Sequence, residues 1–179
     1  MDDKKEAIVR SDNDSLVKAL LRLPRDILHH YDVEGLAPLV LHAVGHELGL
    51  KRASYLIDNP DFDCLKGIAG YCQHECSLHK PDLWNDPHAF FHDMDAAPFH
   101  KKMQQFSHNS FKRNKENYLQ DLNALGKDLG IDHPDVMVWN LRNDNHGVLI
   151  FEEGADQPKK DQQLLESVVA LLGLCPIKA

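Results

Sequence analysis

Residues 36–48 read LAPLVLHAVGHEL and are apolar at almost every position. As a helix this stretch has no polar face to give to water, and a helix that is apolar all round must be enclosed by the rest of its chain. Its ends are marked: Pro38 is tolerable in a first turn, and Gly49 suits a helix end. The remaining residues must therefore build a shell around this core helix. The chain has 179 residues, enough for one domain with a real core. With 42% hydrophobic and 27% charged residues it lies well away from the composition of disordered chains. The expected organisation is one domain over 1–179.

The shell reads mostly as helix. After Ser15 as N-cap, apolar residues at 16, 19, 20 and 23 keep a helical period that Pro24 ends, and a short helix follows over about 25–31. The segment KRASYLID reads as a helical continuation broken at Asn59-Pro60, and 62–76 reads as a further helix despite Gly67 and Gly70. Asp86 and Pro87 open a helix through about Asp95, Pro98 opens another stretch, and a long helix runs from near Asn109 to Leu129, where Gly130 stops it. From 135 the character changes. DVMVWNL and GVLIFEE are β-branched and aromatic runs separated by the turn formers RNDNH, the pattern of a β-hairpin. Leu164, Leu165, Val168, Val169 and Leu172 then give a last helix ending at Gly173. The expected fold is mainly α: a single-domain helical bundle over about 15–130, followed by a small C-terminal hairpin and a final helix over about 135–173.

Charge and motifs remove several functions. The formal net charge is -8, and the only basic run is Lys112, Arg113 and Lys115, so binding driven by phosphate neutralisation is not expected. No segment approaches the length of apolar sequence that a membrane span needs, and the start MDDKKEAIVR lacks the basic and apolar parts of a secretory signal, which places the protein in the cytoplasm. There is no nucleophile elbow, phosphate loop or dinucleotide glycine fingerprint.

What remains is an unusual amount of histidine, 12 residues against 4 Met and 7 Phe. Two segments repeat one spacing: His42 and His46 before Glu47, and His88 and His92 before Asp93. At about 100° per residue, positions four apart stand about 40° apart on a helix, so each pair can place two imidazoles on one ion. Glu47 points away from His46, and the His-Glu-x-x-His order of zinc proteases is absent. Were the two segments to face each other, His42, His46, His88, His92 and Asp93 would form a mononuclear or dinuclear site for zinc or iron. In the structural reading of the same residues, the histidines are the polar edge of a buried helix.

The stretch AFFHDMDAAP resembles the His-Asp core of the HD-domain metal phosphohydrolases. That resemblance, confined to this stretch, implies His92 and Asp93 as metal ligands with His42 or His46 as the upstream histidine. The order His30, Glu34, His42, His46, His88, Asp93 is also similar to that of hemerythrin-like di-iron bundles, but Glu34 and His42 are too close for two antiparallel helices to intervene.

A second cluster, CLKGIAGYCQHECSLH, holds Cys64, Cys72, Cys76 and His79, a donor set suited to tetrahedral zinc. As plain thiols of a reducing compartment they would be small buried residues, with no disulfide between Cys72 and Cys76. Two functions follow. One is a metal-binding protein, specifically a metal-dependent hydrolase of a small ester or phosphoester, with a divalent zinc or iron ion. The other is a non-catalytic interaction or regulatory protein whose His and Cys residues are structural. The partner is accordingly a small molecule or another protein.

Overall fold

The computed structural model describes residues 33–59, 61, 63–75, 94–109, 117–141 and 144–154. Its elements are helix α1 (Val33–Glu47), strands β1 (Leu50–Asn59) and β2 (Cys64–Cys72), helix α2 (Pro98–Gln105), strand β3 (Ser107–Asn109), helix α3 (Tyr118–Asp128), and strands β4 (Asp135–Asn140) and β5 (His146–Glu153). The five strands form one antiparallel sheet in the order β3-β2-β1-β5-β4. This overturns the expected helical bundle. The hairpin is present where expected, with Asp135 opposite Phe151 and Asn140 opposite His146, but it is two-fifths of a central sheet and not an appendage.

The two segments misread as helix are the two longest strands, and the reason lies in their burial. β1 and β2 are covered on both faces, so their side chains are buried almost continuously and lose the alternation that marks a half-exposed strand. A short apolar run of this kind cannot be told from a buried helix by period. Between them the Asn59 side chain accepts the Asp61 amide and Asp63 takes a positive φ of 44°.

The sheet separates two cores. One face carries Ala53, Tyr55, Ile57, Ala69, Tyr71, Leu149 and Phe151 against Leu36, Val40, Leu41 and Val44 of α1. The other carries Leu56, Leu65, Cys72, Val148 and Ile150 against Phe99 and Met103 of α2 and Leu122 of α3. The apolar α1 is thus the core helix that its sequence requires. It stops at Gly49, whose φ of 63° reverses the chain into β1. At the end of α3, Gly130 (φ 90°) donates to the Lys127 carbonyl and Ile131 to that of Gly126, a Schellman closure.

α2 lies close on β2 because glycine lets it. A Cβ at Gly67 would collide with the Met103 carbonyl, and one at Gly70 would lie 2.8 Å from the Met103 side chain. Those two glycines, which argue against a helix interior, mark a strand on which another backbone closes. The N-terminus of α2 has no side-chain cap from Ala97; the Glu75 carboxylate supplies one from a distance, accepting the Phe99 amide at 2.7 Å.

Candidate functional site

The face under α1 carries a band of rings. Tyr55 on β1 stacks on Trp139 of β4, with centroids 5.5 Å apart and planes within 9°. The contact crosses the intervening strand β5 at Gly147, where any Cβ would enter the Trp139 indole. Tyr71 of β2 sits opposite Ala53, and Tyr55 opposite Ala69, so the two tyrosines are diagonal neighbours on adjacent strands. Tyr71 meets the His42 ring edge-on at 5.6 Å, and His42 lies 6.4 Å from His46. Gly45 opens the room for this: a Cβ there would fall 2.5 Å from the Tyr71 ring. Four elements thereby bring five rings onto one side of the sheet.

The band is apolar in its walls and polar at a few atoms. Tyr55 is fully buried and His42 is 3% exposed. The phenol oxygen of Tyr55, Nδ1 of His42 and of His46, and Nε1 of Trp139 are all shielded from solvent. Trp139 Nε1 has no acceptor among the described residues. Burying the Trp139 N–H without an acceptor among the described residues is costly. Ligand sites are likewise mainly apolar with a few placed polar groups.

The opposite face is organised differently. Asp58 is fully buried and accepts a hydrogen bond from the Tyr118 hydroxyl at 3.0 Å, with His146 directly across from it on β5. At the other end of that face Arg52 lies 5.4 Å above the Phe99 ring and donates to the Gly130 carbonyl; hydrogen bonding to Cys72 holds its guanidinium above the ordinary range. His100 is buried and accepts the Gly70 amide through Nδ1 at 3.2 Å, and burial holds its pKa below the ordinary value. These polar groups lock the layers together.

The predicted site residues fare unevenly. His42 and His46 do share a face of α1 and are brought together. His88, His92, Asp93, Cys76 and His79 lie outside the described residues. Cys64 and Cys72 are free thiols at opposite ends of β2, about 26 Å apart at about 3.3 Å per strand residue. One ion cannot take both. The expectation that put them on one helix fails with the helix. Among the described residues no three His, Cys, Asp or Glu side chains are grouped as for an ion.

Sequence reasoning did not single out Tyr55, Tyr71 or Trp139. The signal available for them was the pairing of aromatic strand positions with Gly45 and Gly147, which make space for rings only once the strands are registered.

Comparison with protein-family models and with curated proteins gives no match. Among solved structures, the chain is similar to an N-acylhomoserine lactone dependent LuxR-family transcription factor, CepR2 from Burkholderia cenocepacia, at 18% identity over 92% of each chain with a TM-score of 0.42. It is also similar to SdiA in complex with octanoyl-rac-glycerol, at 17% identity over 89% of this chain and 63% of that one, again with a TM-score of 0.42. Likenesses at this level carry no conclusion for this chain. No helix among the described residues is long and apolar enough to cross a membrane.

Proposed function

We propose that this protein is a non-catalytic, small-molecule-binding regulatory domain whose ligand lies against the Tyr55–Trp139 stack under α1. The observation that carries this reading is Trp139 Nε1, an N–H shielded from solvent and without an acceptor among the described residues, on an otherwise apolar face. The ligand class follows from the walls: an apolar or aromatic body to lie on Tyr55, Trp139 and Leu149, with one acceptor for the indole N–H. His42, held edge-on by Tyr71, then acts by fixing the wall.

Trp84 and Trp139 are the two tryptophans, so a Trp84→Phe chain reports from Trp139 alone. Titrated with N-phenyl-1-naphthylamine, it is expected to show saturable quenching of Trp139, a raised melting temperature, and at least tenfold weaker binding in the Tyr55→Ala variant. A ligand at a hundred times its Kd adds about 2.7 kcal/mol of stability, which is easily read. Absence of saturable binding, or binding that is indifferent to Tyr55→Ala, overturns the reading.

A metal-dependent hydrolase is the competing reading, and the 6.4 Å spacing of His42 and His46 favours it. There the pair would supply two imidazoles to a zinc or iron ion, which would activate water. It predicts that a chelator lowers the melting temperature and that His46→Ala abolishes that response.

A further inference from the structure

The two ends of the sheet are β3 and β4. β4 reads DVMVWN, and its four central residues, Val136, Met137, Val138 and Trp139, are each only partly buried although all are apolar. Val136 and Val138 pack into one core, Met137 and Trp139 against the other. No described strand pairs with the outer side of β4.

Which backbone groups face outward follows from one hydrogen bond. Leu141 donates to the Asn145 carbonyl, so these two form a hydrogen-bonded pair at the end of the hairpin. In an antiparallel ladder such pairs alternate with non-bonded ones. Trp139 with Gly147, Met137 with Leu149 and Asp135 with Phe151 therefore point their N–H and C=O groups inward to β5. Val136, Val138 and Asn140 point theirs out of the sheet. A row of outward donors and acceptors between apolar side chains is a template for another strand.

We infer that β4 pairs antiparallel with β4 of a second copy of this chain, joining the two sheets across a two-fold axis at Val138. Only one register matches all three outward residues: Val138 against the partner's Val138, and Val136 against the partner's Asn140, in both directions. In that register Met137 faces the partner's Trp139 at a non-bonded position, where side chains approach most closely, and a thioether against an indole edge is a favourable contact. The register also keeps like charges apart at the seam. Two chains of net charge -8 repel over most of their surfaces, but Asp135 is the one charged residue of β4, and it falls opposite the partner's Leu141. No carboxylate meets another across the seam. The two Met137–Trp139 pairs on one side of the ladder and the Val138 pair on the other, flanked by Val136 against Asn140, give a self-complementary, closed interface of the isologous kind.

The test is light scattering of the full-length protein at about 50 µM, with hydrogen exchange on the same sample. The wild-type chain is expected at twice its 20.4 kDa mass, with slow exchange at the Val136, Val138 and Asn140 amides that becomes fast on dilution to monomer. Val138→Pro removes the N–H on the axis and leaves the β5 ladder its bonds, so the mass should fall by half. Asn140→Pro removes an outward N–H at the exposed end of the strand, where folding is least disturbed, and should weaken association at least tenfold. A monomeric wild-type chain overturns the inference. So does a dimer that persists in both proline variants, and so does slow exchange of the three amides in monomer, which would mean that the chain covers its own edge.

Discussion

The two edges of the sheet are finished in opposite ways. At one edge β3 is three residues long, Ser-His-Asn, and pairs only with Cys64, Leu65 and Lys66. Beyond it the edge of β2 is closed by other means: the Phe106 carbonyl accepts the Gly67 amide, and His100 accepts that of Gly70. At the other edge β4 has six residues, no charge between Asp135 and Asn140, and outward groups that no described residue meets. A short polar strand and a covering helix protect an edge; an apolar strand with free ladder groups invites a partner. The difference locates the closed, structural side of the molecule and the side open to association.

The largest effect should come from prising the closed edge open. Gly67→Val drives a side chain into the Met103 carbonyl, a backbone atom that cannot rotate away, and should cost about 3 kcal/mol or more in urea unfolding. A proline pair sharpens the contrast between the edges. At a dilution where the chain is monomeric, Ala69→Pro in β2, paired with Tyr55 of β1, should cost about 3 kcal/mol, whereas Val138→Pro on the open edge should cost less than about 1 kcal/mol. Equal losses there would show that β4 is no edge of the single chain.

A smaller effect concerns pH. His100 must be neutral at Nδ1 to accept the Gly70 amide, and burial holds its folded-state pKa below the ordinary 6.5. The unfolded chain therefore takes up this proton at a higher pH than the folded one. The stability owed to His100 is complete above pH 6.5 and is lost as the pH falls through the folded-state value. His100→Gln, whose amide oxygen can accept the same bond, should flatten the stability profile below pH 6.5 at a cost of about 1 kcal/mol at neutral pH. An unchanged profile would remove His100 from the closing of that edge. The smallest effect belongs to a contact on neither edge. Asp132→Asn breaks an ion pair with Lys51 at 3.5 Å, and its side chain is 73% exposed, so stability should move by less than about 0.5 kcal/mol.

The elements that were legible are those whose signals are local. α1 declares itself by a run of apolar residues closed by Gly49, α3 by its stop at Gly130, and the β4–β5 hairpin by turn formers between β-branched runs. The segments that misled are the central strands β1 and β2, because helices on both faces erase their alternation. Gly67 and Gly70 looked like flaws in a helix, and their meaning appears only with α2 pressed upon them. The candidate site divides the same way. The four-residue spacing of His42 and His46 is helical geometry and holds once α1 forms.

By itself, then, the sequence determined which segments must be buried, where two helices and one hairpin end, and that His42 and His46 share a face. These follow from dihedral preferences and from the cost of hydrating apolar side chains, which act over a few residues. Only the tertiary structure decided that 50–59 and 64–72 are strands, that Cys64 and Cys72 are a strand length apart, and that Tyr55, Tyr71 and Trp139 meet His42 on one face. Those outcomes depend on register between strands distant in sequence, and register is set by which face of each strand the rest of the chain covers.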